Sequence, residues 1–195
     1  MSTNRTEDTW AAGTQVERLV NEFLKGLGFV IVPTALIERG GAPLLEGHLQ
    51  NYILPDTLAA KDGQARWVET KYKTRCSPNQ IRRREEHGVE AHQWEAYLEV
   101  VKKTGLPGSL CIVERERRLI LLGAFTEIAR SAARVDYGRT LEVYGDAMYY
   151  FDCRAFDWFK LGEDGIAALP PYVPPKTVRL WENRPPAVAR QGPLL

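Results

Sequence analysis

The sequence predicts an α/β domain with a central mixed β-sheet flanked by helices. An apolar repeat with helical spacing opens the chain. Two strand-like runs joined by Asp62-Gly63 follow, and a second helical stretch separates them from two further short apolar runs. The order α-β-β-β-α-β-β implies a mixed sheet with helices packed on its faces. A length of 195 residues suits one domain with appendages, and 44% hydrophobic residues, with five Trp, eight Tyr and six Phe, suffice for a core.

In chain order, residues 1–13 are polar and read as a flexible N-terminal segment. From Thr14, the positions Val16, Leu19, Val20, Phe23, Leu24 and Leu27 follow helical spacing, and Gly26 and Gly28 close the helix. Residues 29–32 read as a first strand and 38–47 as a loop. Strands are expected over 52–60 and 65–73, because Asp-Gly between alternating runs is a hairpin signal. A loop through Ser77-Pro78 leads to a helix over about 79–104, with a break near Gly88, stopped by Gly105-Leu106-Pro107-Gly108. Residues 109–114 and 119–123 read as strands across the charged turn 115–118. A helix near 126–133 and a strand near 148–152 complete a domain over 14–168. Seven of the twelve prolines fall in a tail, 169–195, expected to lie extended or wrapped over the surface, where it could engage a partner protein or a second copy.

Several classes are excluded or disfavoured. No apolar run approaches the roughly 20 residues of a membrane span, and the N-terminus lacks a signal-peptide core, so an intracellular, cytoplasmic protein without a membrane partner is expected. Cys76, Cys111 and Cys153 form no Cys-x-x-Cys pair, which argues against a disulfide framework and a tetrahedral zinc site and leaves them as packing residues. Three thiols cannot supply a four-thiolate iron–sulfur cluster. The net charge of +1 restricts any nucleic-acid contact to a local patch.

Chemistry concentrates in the third strand. Alternation puts Trp67, Glu69, Lys71 and Lys73 on one face and Val68, Thr70 and Tyr72 on the other. Pro55-Asp56 lies on the neighbouring strand. Two carboxylates and a lysine converging at a sheet edge suit metal-assisted phosphodiester hydrolysis: Mg²⁺ takes oxygen ligands, acidifies water and polarises phosphate, and a lysine offsets the phosphate charge. A Glu-x-Lys pair also occurs on ordinary solvated strand faces. On the first helix, Glu17 borders the apolar stripe while Glu22 points to solvent. Glu17 either reaches the sheet-edge pocket or closes a capping box with Thr14. On the second long helix, Gln93 and Tyr97 lie one turn apart within the apolar arc, where a glutamine needs partners in the core or in a site.

The combination of Glu17, Pro55-Asp56, Glu69-Thr70-Lys71 and Gln93-x-x-x-Tyr97, in that order over about residues 14–152, resembles the PD-(D/E)XK nuclease superfamily with its restriction-endonuclease-like fold. The Gln-x-x-x-Tyr element is similar to that of the helicase-nuclease branch, without that branch's four-cysteine cluster. The resemblance implies a Mg²⁺-dependent deoxyribonuclease, with Mn²⁺ as a substitute. It implies metal binding by Asp56 and Glu69, with Glu17 as auxiliary acid. Lys71 would assist the attacking water, and Gln93 and Tyr97 would support the site or contact DNA. The alternative is a nucleic-acid-binding or assembly subunit on the same fold that has lost catalysis.

A basic run supports a phosphate partner. Lys73, Arg75, Arg82, Arg83 and Arg84 follow the catalytic-strand motif, and the three consecutive arginines are placed to grip DNA backbone at a helix start. Because Glu85 and Glu86 come next, the same run also reads as a charge-mixed solvated face. His87 is a substrate contact, a group supporting the site residues from behind, or a turn residue before Gly88.

Overall fold

The computed structural model describes residues 4–34, 44–46, 51–136 and 147–162. Helix α1 (Asn4–Gly26) begins well before Thr14, so residues 4–13 are helical rather than loose. Acids near the helix start and the Ala11-Ala12 pair favour this extension. Glu17 is therefore interior to the helix, and the capping-box alternative falls.

Strand β1 (Val30–Pro33) pairs with β4 (Thr57–Lys61), and a small hairpin of β2 (Leu44–Glu46) and β3 (Asn51–Ile53) lies between them in sequence. The strand expected over 52–60 is thus split. Pro55 has no N–H for a ladder, and Leu54-Pro55-Asp56 leaves the pairing. Part of the loop expected over 38–47 is β2; its remainder lies outside the described residues. β4 and β5 (Gln64–Lys73) form the expected hairpin, with Asp62 and Gly63 at φ 52° and 76° and Lys61 opposite Gln64. These positive φ values match the right-handed strand twist that a two-residue turn requires.

The largest correction falls on 79–90. Here β6 (Ser77–Asn79) and β7 (Arg84–Glu90) form an antiparallel hairpin, and α2 (Ala91–Thr104) starts only afterwards. Tertiary packing overrides local propensity. Glu86, His87 and Val89 are buried, and a Cβ on Gly88 would meet Met148 and Tyr150 side-chain atoms at 3.0 Å. β8 (Gly108–Glu114) then pairs in parallel with β5 and antiparallel with β9 (Leu119–Ala124). The helix expected near 126–133 shortens to α3 (Phe125–Ile128) and a 3-10 turn, Ala129–Ser131, followed by β10 (Ala133–Val135). The expected strand β11 (Met148–Asp152) is followed by a 3-10 turn, Cys153–Ala155, and by β12 (Asp157–Lys160), which the sequence did not suggest. The proline-rich tail lies outside the described residues.

The result is a six-stranded mixed sheet, β1-β4-β5-β8-β9-β12, with a four-stranded sheet, β10-β11-β7-β6, beside it. Strand alternation sorts two cores. Val16, Val20 and Leu24 of α1 pack on Val68, Cys111, Val113 and Ile120. Trp94 and Tyr97 of α2 share the opposite core with Leu110, Ile112, Leu121 and Phe125, and Val100 packs on Trp67. Every residue of β8 is buried, as the central strand between two helical layers must be. Among the described residues no helix is long and apolar enough to cross a membrane.

Packing beside β8 leaves no spare volume. A Cβ on Gly108 would overlap the Phe125 ring, which is itself wedged against Trp94 at 4.8 Å between centroids. Gly108→Ala is expected to cost about 1–3 kcal/mol by overpacking, read as a lower urea midpoint; an unchanged midpoint would contradict this packing.

Candidate active site

The ladder between β4 and β5 ends at the Thr57–Val68 pair. Beyond it the N–H of Thr70 donates to Asp56 Oδ2 at 2.7 Å, so a side chain takes the place of a strand acceptor. The backbone of Pro55-Asp56 is held in turn by buried Thr34, whose Oγ1 donates to the Pro55 carbonyl at 2.8 Å and whose N–H donates to the Asp56 carbonyl at 2.9 Å. Asp56 thus sits where a strand stops, fixed at both its main chain and its carboxylate.

Glu69 is buried on the face of β5 that α2 covers. Its Oε1 accepts from the Tyr97 hydroxyl at 2.5 Å and pairs with Lys71 Nζ at 2.7 Å; Lys71 Nζ also donates to the Tyr97 oxygen at 3.3 Å. A strand places Glu69 and Lys71 on one face by its period of two, and α2 brings the phenol over both.

Charge in this group is not balanced. Burial, then the carboxylates of Glu69 and Glu17, push the Asp56 carboxyl well above the usual carboxylate range, against smaller help from the Thr70 N–H and from Lys71. Burial works against a charge on Lys71, but Glu69 and Asp56 outweigh it and raise its proton affinity. Burial and the neighbouring Lys71 lower that of Lys73. Burial and Glu69 raise the Tyr97 phenol, so it stays a donor. Carboxylates from α1, the β4 entry and β5 therefore share one field, in which Lys71 is the cation bonded to Glu69. An all-oxygen donor set with surplus negative charge suits a hard divalent cation such as Mg²⁺.

The structure gathers Asp56, Glu69, Lys71 and Tyr97 and brings Glu17 into electrostatic reach of Asp56. Gln93 lies one turn before Tyr97, partly exposed at the start of α2. Lys73 lies two residues along β5 from Lys71, and Arg75 is an exposed residue facing Glu116 at 3.8 Å. The arginine run does not open a helix. Arg82 and Arg84 bind buried Glu86 at 3.0 and 2.5 Å, with Asn79 adding a bond of 2.7 Å. Only Arg83 of the three is an exposed residue, at φ 48° in the hairpin turn. His87 is buried, its Nε2 2.6 Å from Glu114 Oε1, so it is neither a surface contact nor a turn residue. Sequence reading missed Glu90, whose charge acts on Lys71, Lys73 and Tyr97 from the β7–α2 junction. A correct start for α2 would have drawn notice to it.

These features define a class: a mixed α/β protein with a carboxylate–lysine–tyrosine group at the end of a strand pair, rich in carboxylate oxygens. No family model matches the chain, and no curated protein matches it. Among solved structures the chain is similar to Hjc, a Holliday junction resolvase from the archaeal hyperthermophile Archaeoglobus fulgidus, with 15% identity and a TM-score of 0.47 over 73% of this chain and 90% of that one. It is also similar to a nuclease from a fusselovirus, with 11% identity and a TM-score of 0.41 over 87% of this chain and 94% of that one.

Two measurements check the electrostatics. A carboxyl whose pKa is raised on folding stabilises fully below its unfolded pKa, and that stabilisation is lost as pH rises through the folded value. In EDTA, Asp56→Asn, which keeps an acceptor for Thr70, is therefore expected to unfold at a higher temperature than wild type at pH 8. The gap should close toward pH 4, and a wild type more stable than the variant at pH 8 would refute the charge surplus. On the hairpin, Arg84→Ala should cost about 1–3 kcal/mol in chemical denaturation by stripping a buried carboxylate, whereas Arg83→Ala should cost under about 0.5 kcal/mol.

Proposed function

We propose that the chain is a divalent-metal-dependent nuclease of the restriction-endonuclease-like type that hydrolyses phosphodiester bonds of DNA. The single observation that carries this reading is the convergence of Asp56 and Glu69 with Lys71, in a field where a third carboxylate, Glu17, raises the Asp56 proton affinity further. Apolar packing or a structural ion pair would need no such surplus of negative charge. A dication would relieve it.

Asp56 and Glu69 would hold Mg²⁺, or Mn²⁺ in its place, with Glu17 as a further carboxylate nearby. Bound there, the ion would draw charge from the scissile phosphate and acidify a water. The chain's own residues supply the rest. Lys71 stays protonated because Glu69 and Asp56 favour its charge, so it acts as a donor to the attacking water and the phosphate rather than as a base. Tyr97 bonds to Glu69 and meets Lys71 and so holds the pair in register. Gln93 lies at the mouth of the same helix, and Lys73, Arg75 and Arg83 are the basic groups left to meet DNA backbone phosphates.

Incubation with linear, circular and branched DNA, in Mg²⁺ or in EDTA, tests the proposal. Cleavage should require the cation. Lys71→Ala should bind DNA in Ca²⁺ yet turn over at least about 100-fold more slowly, since its work falls in the transition state. Excess Mg²⁺ should restore Asp56→Asn in part and Lys71→Ala not at all. A folded wild type that binds DNA but cuts no substrate in Mg²⁺ or Mn²⁺ would turn the reading to a binding or assembly subunit. Equal cleavage by wild type and Lys71→Ala would place the chemistry elsewhere.

A further inference from the structure

A second group of metal-ligating side chains lies at the ends of β5, β8 and β11, outside the carboxylate–lysine site. Cys76 follows β5, Glu114 closes β8, and Cys153 opens the 3-10 turn after β11. All three are buried, and their Sγ and carboxylate oxygen atoms lie within 4.8 Å of one another. His87 of β7 is buried against Glu114, its Nε2 2.6 Å from Glu114 Oε1. The third cysteine, Cys111, belongs to the separate core beneath α1. The fold thus selects two of three thiols, distant in sequence, and sets them against a buried carboxylate and an imidazole.

We propose that Cys76, Cys153 and Glu114 form a binding site for a thiophilic divalent cation, Zn²⁺ foremost, that ties the main sheet to the second one.

The ligand types are those that zinc takes, thiolate sulfur and carboxylate oxygen, and the cysteines are free. Charge fits as well. Glu114 and Glu85 face one guanidinium: Arg117 reaches Glu114 at 2.5 and 2.7 Å and Glu85 at 2.7 Å. Entry of one dication with loss of two thiol protons leaves the net charge of this buried group unchanged, with Arg117 still in place as counter-ion. The two Arg117 donors and His87 occupy three of the roughly four lone-pair positions of the Glu114 carboxylate, so one remains for a metal. His87 keeps its bond to Glu114 and so orients that carboxylate. Zinc here would clamp the exit of β5, three residues beyond Lys73, to β11, and it stands independently of the nuclease reading.

Titration of the full, reduced, metal-free chain with Co²⁺ tests this. One equivalent should produce thiolate-to-cobalt charge-transfer absorption, displaced by one equivalent of Zn²⁺, and Zn²⁺ should raise Tm by about several degrees. The absorption should vanish in Cys76→Ser and in Cys153→Ser and persist in Cys111→Ser. It should also persist in Glu69→Gln, which separates this site from the carboxylate group. Because a cysteine variant can fail to fold, the wild-type titration decides by itself. A folded, reduced wild type with no thiolate band at about millimolar Co²⁺ overturns the proposal, as does a band that survives in folded Cys153→Ser.

Discussion

A main-chain donor left over at the end of a strand pair sets the geometry of the whole site. β4 stops pairing at Thr57 because Pro55 cannot continue a ladder, yet β5 runs on. The Thr70 N–H would be buried without an acceptor, and Asp56 Oδ2 takes it. One hydrogen bond therefore both completes the sheet and anchors a carboxylate beside Glu69. Thr34 secures the same dipeptide from the end of β1, so three strands agree on where Asp56 stands. Mutual repulsion would otherwise drive the two carboxylates apart; backbone satisfaction holds them together.

Buried charge takes two forms in this molecule. At Glu86 and Glu114 each carboxylate accepts three hydrogen bonds, and the Glu114 carboxyl, despite burial, is drawn down to about 2 by His87 and Arg117. Such groups lock the β6–β7 hairpin and the end of β8. Around Asp56 the balance is reversed, with carboxylates from α1, β4 and β5 in one field. Carboxylates crowded together around Asp56 mark where a hard cation would be gained.

The parallel contact between β5 and β8 explains how a short motif becomes a site. Strands that run in parallel need a long crossover, here the β6–β7 hairpin and α2. That crossover returns across the face bearing Glu69 and Lys71, which brings Tyr97 onto both. It also carries Glu90 and places His87 against Glu114, far from any surface. The arginines that looked like a phosphate grip are mostly used to hold this crossover in shape.

Local rules were enough for the Asp62-Gly63 hairpin, the α1 stripe with Glu22 outward, the faces of β5, and the pairing of Asp56 with Glu69 and Lys71, because each rests on a period or turn within about fifteen residues. Residues 79–90 defeated the same rules. Their mixed charge and moderate propensity suit a helix in isolation, and only pairing with β11, the tight fit at Gly88 and the buried partners of Glu86 and His87 make them strands. The capping role of Glu17 failed for a similar reason, since the helix start lay outside the periodic stripe. The convergence of Cys76, Cys153 and Glu114 had no signal in spacing, because it joins the ends of two sheets. Sequence determined which side chains share a face; tertiary structure decided which faces meet, because strand partners and crossover paths are chosen by contacts between residues far apart in the chain.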